Sequence, residues 1–337
     1  MKAPYNLPVR ALLAVLPILT ALVCIGIGRY SMSVTESFTV LWSGITGKTY
    51  AVSPQAWSVV FNIRLPRILL AILCGSGLAV SGAAFQALFT NPLATPDTLG
   101  VASGASFGAA FGLLLGLPSI FVQISSLAFG LAAVSLSYSV SRVRGKSSII
   151  MVVLSGLVVS SMFNAFVSLV KYVADPENQL PAITYWLMGS LASVSYRGLA
   201  IGAPLIIAGV ALIFTLRWKL NILSLNEDEA KSMGVNVKVM RAGVITAATL
   251  VTGSTVAMCG QVGWVGLLIP HICRMIFGGN NRYLVPASIS LGAVFMLVID
   301  TVARAATSAE VPVSILTATI GAPFFVILLR RTGGSWL

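Results

Sequence analysis

Long apolar runs separated by short polar segments make up most of the chain. Ten runs are long enough to be candidate membrane-spanning helices, because about 20 apolar residues cross a bilayer core. They lie at about 11–28, 67–89, 98–116, 119–140, 148–171, 199–216, 242–258, 263–277, 284–304 and 313–329. The pattern predicts an all-α, polytopic membrane protein with about ten transmembrane helices, in which residues 1–337 form one transmembrane domain.

The third run carries a glycine at every fourth position. These are Gly100, Gly104, Gly108, Gly112 and Gly116. Residues four apart share one face of a helix, and a face without side chains lets a neighbouring helix approach closely. We predict that this face packs against another helix and takes no part in catalysis.

A faint internal repeat relates residues 73–92 to residues 251–270. The matched pairs are Gly75/Gly253, Ser76/Ser254, Ala79/Ala257, Gly82/Gly260 and Pro92/Pro270. The two segments belong to the second and seventh runs, which cross a membrane in opposite directions. The pattern is therefore a candidate inverted repeat, a common feature of transporters.

The longest charge-rich interruption in the second half is the segment 217–241. Asn226 can cap a helix whose first turn is acidic, with Glu229 at the capping-box position and Gly234 placed to end it. The acidic residues of that turn are Glu227, Asp228 and Glu229. This pattern predicts a short helix of about two turns between spans. An ordinary solvated loop is the alternative.

Composition and charge agree with the apolar pattern. The chain is 57% hydrophobic and 9% charged, against about 25% charged residues in soluble domains. With both termini in the cytoplasm, 14 lysines and arginines fall inside and 7 outside, as the positive-inside rule requires. This topology places segment 217–241 in the cytoplasm and explains the net charge of +12 without nucleic acid. No small-x-small cleavage site follows the first run, so we expect that run to be retained.

Candidate chemistry is scarce. The four cysteines lie in apolar segments without a CxxC pair, which favours small buried side chains over metal or disulfide chemistry. His271 is the single histidine, which excludes a cluster of histidine metal ligands, and its place at the edge of a predicted span disfavours a Ser-His-Asp triad. GKT at 47–49 and GKS at 145–147 lack the first glycine of a P-loop. We therefore expect no catalytic residue, no metal site and no cofactor in this chain.

Charged residues near the outer ends of the predicted spans are the remaining candidates for functional residues. Asp300 and Arg304 lie four apart on the ninth run, where they form either a stabilising pair or a proton relay. Arg64 and Arg67 lie at the outer mouth of the second run. These two arginines either extend to the interface or, if exposed, pair with carboxylates of a soluble partner.

Together these motifs resemble the permease subunits of type II ABC importers, the iron–siderophore, haem and vitamin B12 uptake family. The matching segments are RLPR (64–67), SGAAFQALFTNPLATPDTLGVASGA (81–105), LNILSLNEDEAKSMGV (220–235), GQVGWVGLLIPHICR (260–274), DTVAR (300–304) and EVPVSILTATIGAPFF (310–325). They follow the family order over nearly the whole chain after the first span. Departures occur at Thr95, where the family usually has an acidic residue, at Trp264, usually phenylalanine, and at Ser314, usually glycine.

The resemblance implies a homodimeric permease in the lipid of the bacterial inner membrane. Two cytoplasmic ATPase subunits would bind ATP and Mg, and a periplasmic substrate-binding protein would deliver cargo. The implied coupling residues, which insert into a groove of the ATPase, are Leu220, Leu223, Leu225, Asn226, Glu227, Asp228, Glu229, Met233 and Gly234. The arginines that would meet acidic residues of the binding protein are Arg64, Arg67 and Arg304. The fifth span, about 147–170, and its dimer mate would line the channel.

The resemblance further implies import of a metal chelate, of the ferric siderophore, haem or cobalamin type, by alternating access. One alternative is the same class of importer carrying an oxyanion such as molybdate. Another is an ion-coupled secondary transporter, which the lack of charge at mid-membrane disfavours. The binding protein selects the cargo in such systems, so this sequence alone does not identify it.

Overall fold

The computed structural model describes residues 5–30, 32–47, 53–141, 149–225, 227–307 and 309–332, and the regular structure in these ranges is helical. In chain order the helices are α1 (Leu7–Gly26), α2 (Val34–Thr46), α3 (Pro54–Ser58), α4 (Leu65–Leu88), α5 (Val101–Leu114), α6 (Ser119–Ser141), α7 (Ile149–Val173), α8 (Gln179–Leu187), α9 (Tyr196–Leu216), α10 (Leu220–Leu223), α11 (Glu227–Ser232), α12 (Val237–Cys259), α13 (Val265–Phe277), α14 (Asn281–Ala305) and α15 (Val313–Thr332).

Each of the ten predicted spans corresponds to one apolar helix. Within the described ranges, seven helices are long and apolar enough to cross a membrane: α1, α4 with the helical turns before it, α6, α7, α9, α12 and α14. The other three, α5, α13 and α15, are apolar but shorter. The prediction of an all-α polytopic protein is confirmed.

The connections after α1 and after α7 contain further short helices. The polar stretch after the first span forms α2, α3 and a π-helical turn, Val59–Arg64, that runs directly into α4. The connection after α7 contains the short helix α8.

Helix α4 lies at the centre of the bundle and is buried along nearly its whole length. It packs against α14, α12, α13 and α9. Close approach is possible because its glycines face backbone: a Cβ on Gly75 would collide with Gly292 of α14, and one on Gly82 would collide with Gly266 of α13. Small residues at a membrane helix interface maximise such contact.

The glycines of α5 have two different roles. Gly104 and Gly108 face backbone atoms of α6, and Gly112 faces Val122 on the same helix, so these three lie in a helix–helix contact. Gly100 and Gly116 lie outside α5 and adopt positive φ angles of 82° and 65°. The prediction of one continuous five-residue packing face is therefore wrong at both ends, because the chain turns there and requires a left-handed backbone.

The packing also has the pattern expected of an internal repeat. The first half comprises α4 to α7 and the second half α12 to α15. Helix α4 packs against α13 and α14 of the second half, and α12 packs against α5 and α6 of the first half. In the first half α5, α6 and α7 contact one another, and in the second half α13, α14 and α15 do the same. Each half thus inserts its first helix into the other, an arrangement that supports the repeat seen between 73–92 and 251–270.

Candidate functional site

The segment after α9 forms two short helices with different environments. Helix α10 is buried on the bundle side, where Leu220 and Leu223 join the interior cluster beneath the end of α4. Leu225 and Met233 are 44% and 59% exposed. Of the apolar residues predicted to bind a partner, Leu225 and Met233 therefore present free surface, whereas Leu220 and Leu223 anchor the segment.

Helix α11 begins and ends where the local signals place it. It starts at Glu227, and Gly234 follows with a positive φ of 75°. The amide of Val235 donates to the Ala230 carbonyl at 3.4 Å, a bond typical of a glycine-terminated helix. Glu229 is exposed. Asn226 and the side chains of Glu227 and Asp228 lie outside the described residues.

Hydrogen bonds tie this segment to two core helices. The Asn221 side chain donates to Oδ1 of Asn280 at 2.9 Å and accepts from the Asn281 amide at 2.9 Å, at the start of α14. The Ser224 hydroxyl donates to the Ala87 carbonyl at 3.3 Å, near the end of α4. The sequence analysis missed these asparagines, because their partners lie about 60 residues away in the chain.

At the opposite end of the bundle, Arg67 holds two carboxylates. Its Nε donates to Oδ1 of Asp300 at 2.7 Å, and its Nη1 donates to Oε1 of Glu310 at 2.9 Å. Asp300 also lies 3.7 Å from Nε of Arg304. Both arginines and Asp300 are buried, whereas the Glu310 side chain is 25% exposed. The sequence analysis gave Glu310 no role, although it opens the EVPV motif.

The other arginines of this cluster bond to the end of α1. Arg64 donates to the carbonyls of Ile25 and Tyr30 at 2.6 and 2.7 Å. Arg304 donates to the carbonyl of Cys24. Of these acceptors, the Ile25 carbonyl is one that the end of a helix leaves without an intrahelical partner, whereas the Cys24 carbonyl also accepts from the Ile27 amide.

The predicted docking arginines are thus brought together, but in the interior. Arg64, Arg67 and Arg304 are between 3% and 7% exposed. In the free chain they do not project from the surface, because carboxylates and carbonyls from distant parts of the chain surround them. Their docking role stays a prediction. The proposed Asp300–Arg304 pair exists, but Arg67 is the closer partner of Asp300. With three arginines and two carboxylates, the cluster keeps excess positive charge.

Helix α7, predicted to line a channel, presents neutral side chains. Its described residues carry no charged side chain before Lys171. Leu154, Leu157 and Val158 are exposed on the isolated chain. Ser147, the first residue of the predicted channel lining, lies outside the described residues. The surface is suited to contact with apolar groups.

The cysteines and histidine form no metal-binding cluster within the described ranges. All four cysteines are free thiols and buried. Sγ of Cys74 lies 3.6 Å from Sγ of Cys259, between α4 and α12. Burial among apolar side chains is the role predicted for them.

Comparison with known proteins places these features in a single family. The model of the FecCD transport family matches residues 15–331. The molybdate import system permease of Haemophilus influenzae is 40% identical over 95% of this chain and 94% of its own length. The hemin transport system permease of Yersinia pestis is 34% identical over 93% of this chain and 94% of its own. An inward-facing ABC transporter assigned to the metal-chelate type superposes with a TM-score of 0.85 at 38% identity, covering 96% of this chain and 99% of that one.

Proposed function

The chain belongs to the FecCD transport family, and from this premise we propose that it imports a metal chelate from the periplasm to the cytoplasm. As a member of this family it is a permease subunit of an ABC importer in the inner membrane, and separate subunits hydrolyse ATP. The proposed cargo is a ferric siderophore, haem or cobalamin. ATP and Mg would bind the ATPase subunits, with none bound by this chain.

The uncharged surface of α7 is the observation that supports a chelate. A metal chelate hides the charge of its ion within organic ligands, so neutral and apolar walls can pass it. A bare oxyanion is best stabilised by charged partners when it leaves water, and the exposed polar residues of α7 before Lys171, Ser161, Asn164 and Ser168, are neutral. The specific observation in favour of an oxyanion is the 40% identity to a molybdate permease, and molybdate is therefore the second candidate cargo.

The proposed channel needs a second copy of the chain. On one chain Leu154, Leu157 and Val158 of α7 are exposed, and a second α7 facing them would enclose a path between two subunits. We propose this homodimer with both termini in the cytoplasm, as the lysine and arginine distribution supports.

Segment 217–241 is the proposed coupling element. Leu225 and Met233 would contact the ATPase through apolar surface, with Glu227 to Glu229 at the rim of the contact. Leu220 and Leu223 would hold the segment to the bundle. The bonds from Asn221 and Ser224 to α14 and α4 offer a route by which movement of the ATPase reaches the core.

The arginine cluster is the proposed docking site for the binding protein. Because Arg67 is held by Asp300 and Glu310 in the free chain, a carboxylate of the binding protein would compete with the more exposed Glu310. The excess positive charge of the cluster favours an acidic partner. Two copies of the chain would offer one cluster to each lobe of the binding protein.

Uptake by reconstituted vesicles tests the proposal. The chain, its ATPase and its binding protein would be combined, and uptake of labelled haem, cobalamin, ferric siderophore and molybdate measured with and without ATP. We expect ATP-dependent uptake of one chelate. Preferred uptake of molybdate would select the second candidate. Uptake driven by an ion gradient with the chain alone would instead establish a secondary transporter.

A further inference from the structure

A cavity of about 440 Å³ lies between α6 and α9 at the end of the bundle that we place outside. Both helices pack against α12, and Ala257 and Met258 of α12 form part of the cavity wall. The amide Nε2 of Gln123 on α6 donates to the Gly198 carbonyl on α9 at 3.1 Å. The cavity belongs neither to the arginine cluster nor to the coupling segment.

Positive charge collects at this cavity. The Arg197 side chain lines it and is exposed, and among the described residues it has no carboxylate partner. Helices α6 and α9 both begin at the cavity, at Ser119 and Tyr196. The Ser195 hydroxyl already caps the Gly198 amide of α9. The other first amide groups have no carbonyl partner within the helix, and the helix dipoles add positive potential at these ends. An anion is favoured here.

One acceptor in the cavity has no partner. Gln123 is only 8% exposed, and its amide group already donates to Gly198. Its carbonyl oxygen Oε1 accepts no hydrogen bond from the described residues and is open to the cavity, where solvent or a ligand can reach it. A ligand with an N–H donor would satisfy it.

The surroundings of the cavity are those of a membrane interface. Trp186 lines it, and tryptophan is enriched where the bilayer meets water. Next to it, Phe121 and Ile124 on α6 are exposed apolar side chains suited to acyl chains. A ligand that reaches this site from the side would therefore come from the lipid.

We propose that the cavity binds the head group of a phospholipid that carries both a phosphate and a primary amine. The phosphate would lie at Arg197 and the starts of α6 and α9. The ammonium group would donate to Oε1 of Gln123. The acyl chains would follow the apolar surface of α6. This inference depends on insertion in a membrane and not on the cargo of the importer.

Lipid binding to the purified chain tests this inference by native mass spectrometry, with thermal stability as a second measurement. Phosphatidylethanolamine is compared with phosphatidylcholine, whose amine has no N–H donor, with phosphatidylglycerol, which has no amine, and with inorganic phosphate. We expect phosphatidylethanolamine to bind most tightly and to raise the midpoint of unfolding. Arg197→Gln should weaken this binding roughly tenfold, as loss of a charge-assisted contact does.

Arg217→Gln is the matched control, because Arg217 follows the opposite end of the same helix α9. It should leave the affinity for phosphatidylethanolamine unchanged. Equal binding of this lipid by wild type and Arg197→Gln would overturn the site. Equal affinity for phosphatidylcholine would remove the role of the amine and Gln123. Displacement of the lipid by inorganic phosphate at equal strength would assign the cavity to a soluble anion instead.

Discussion

The Nε atom of Arg67 lies 2.7 Å from Oδ1 of Asp300, and both side chains are almost completely buried. This ion pair joins α4 to α14, which pack extensively against each other at the bundle's centre. Removing one member of a buried pair leaves the other charge without compensation, at a cost of about 3–5 kcal/mol. The pair therefore stabilises the fold, in addition to any role in docking.

Asp300→Asn should lower the free energy of unfolding by about 3 kcal/mol or more. The double variant Arg67→Met with Asp300→Leu should lose less free energy of unfolding than Arg67→Met and Asp300→Leu lose in total as single variants. The reason is that the double variant leaves neither member of the pair as a lone charge. Denaturation in detergent micelles measures both effects. Additive losses would show that the two side chains do not interact across α4 and α14.

Glu310→Gln should strengthen the proposed docking of the binding protein. The Glu310 carboxylate bonds Arg67 and is partly exposed, so it competes with an incoming carboxylate. Loss of one charge-assisted bond would raise affinity up to roughly tenfold. Surface plasmon resonance with the immobilised permease measures the Kd. Glu36→Gln, which removes an exposed carboxylate on α2, is the control and should change the Kd little. Unchanged affinity in Glu310→Gln would count against competition at Arg67.

Leu225→Asp and Met233→Asp should abolish stimulation of the ATPase while the permease stays folded. Both side chains are exposed, so a charge is tolerated in the free chain but would be buried in the contact. Leu223→Ala provides the contrast, since Leu223 is 3% exposed and its truncation should cost about 2–5 kcal/mol of stability. ATPase rates and thermal unfolding separate the two effects. Full stimulation in both aspartate variants would place the coupling contact elsewhere.

Local signals predicted the features that depend on neighbouring residues. The start of α11 at Glu227 and its end before Gly234 follow from acidic and glycine preferences within one or two turns. The apolar runs likewise located the ten apolar helices. The environment of Arg67 depends on Asp300, 233 residues away, and no local pattern indicates that contact. Position at a helix end left the exposure of Arg64 and Arg67 open, and tertiary packing buries both side chains.

Gly82→Ala should destabilise the bundle, and Gly243→Ala should not. Both glycines lie within helices, α4 and α12, where alanine is the better helix former by about 1 kcal/mol. A Cβ on Gly82 would collide with the backbone of Gly266, whereas a Cβ on Gly243 meets nothing within 4 Å. Backbone cannot move aside as a flexible side chain can, so steric strain should exceed the helix-propensity gain only at Gly82. Thermal unfolding of the two variants beside wild type measures the difference. An equal gain in stability in both would mean that α4 and α13 are not in close contact at Gly82.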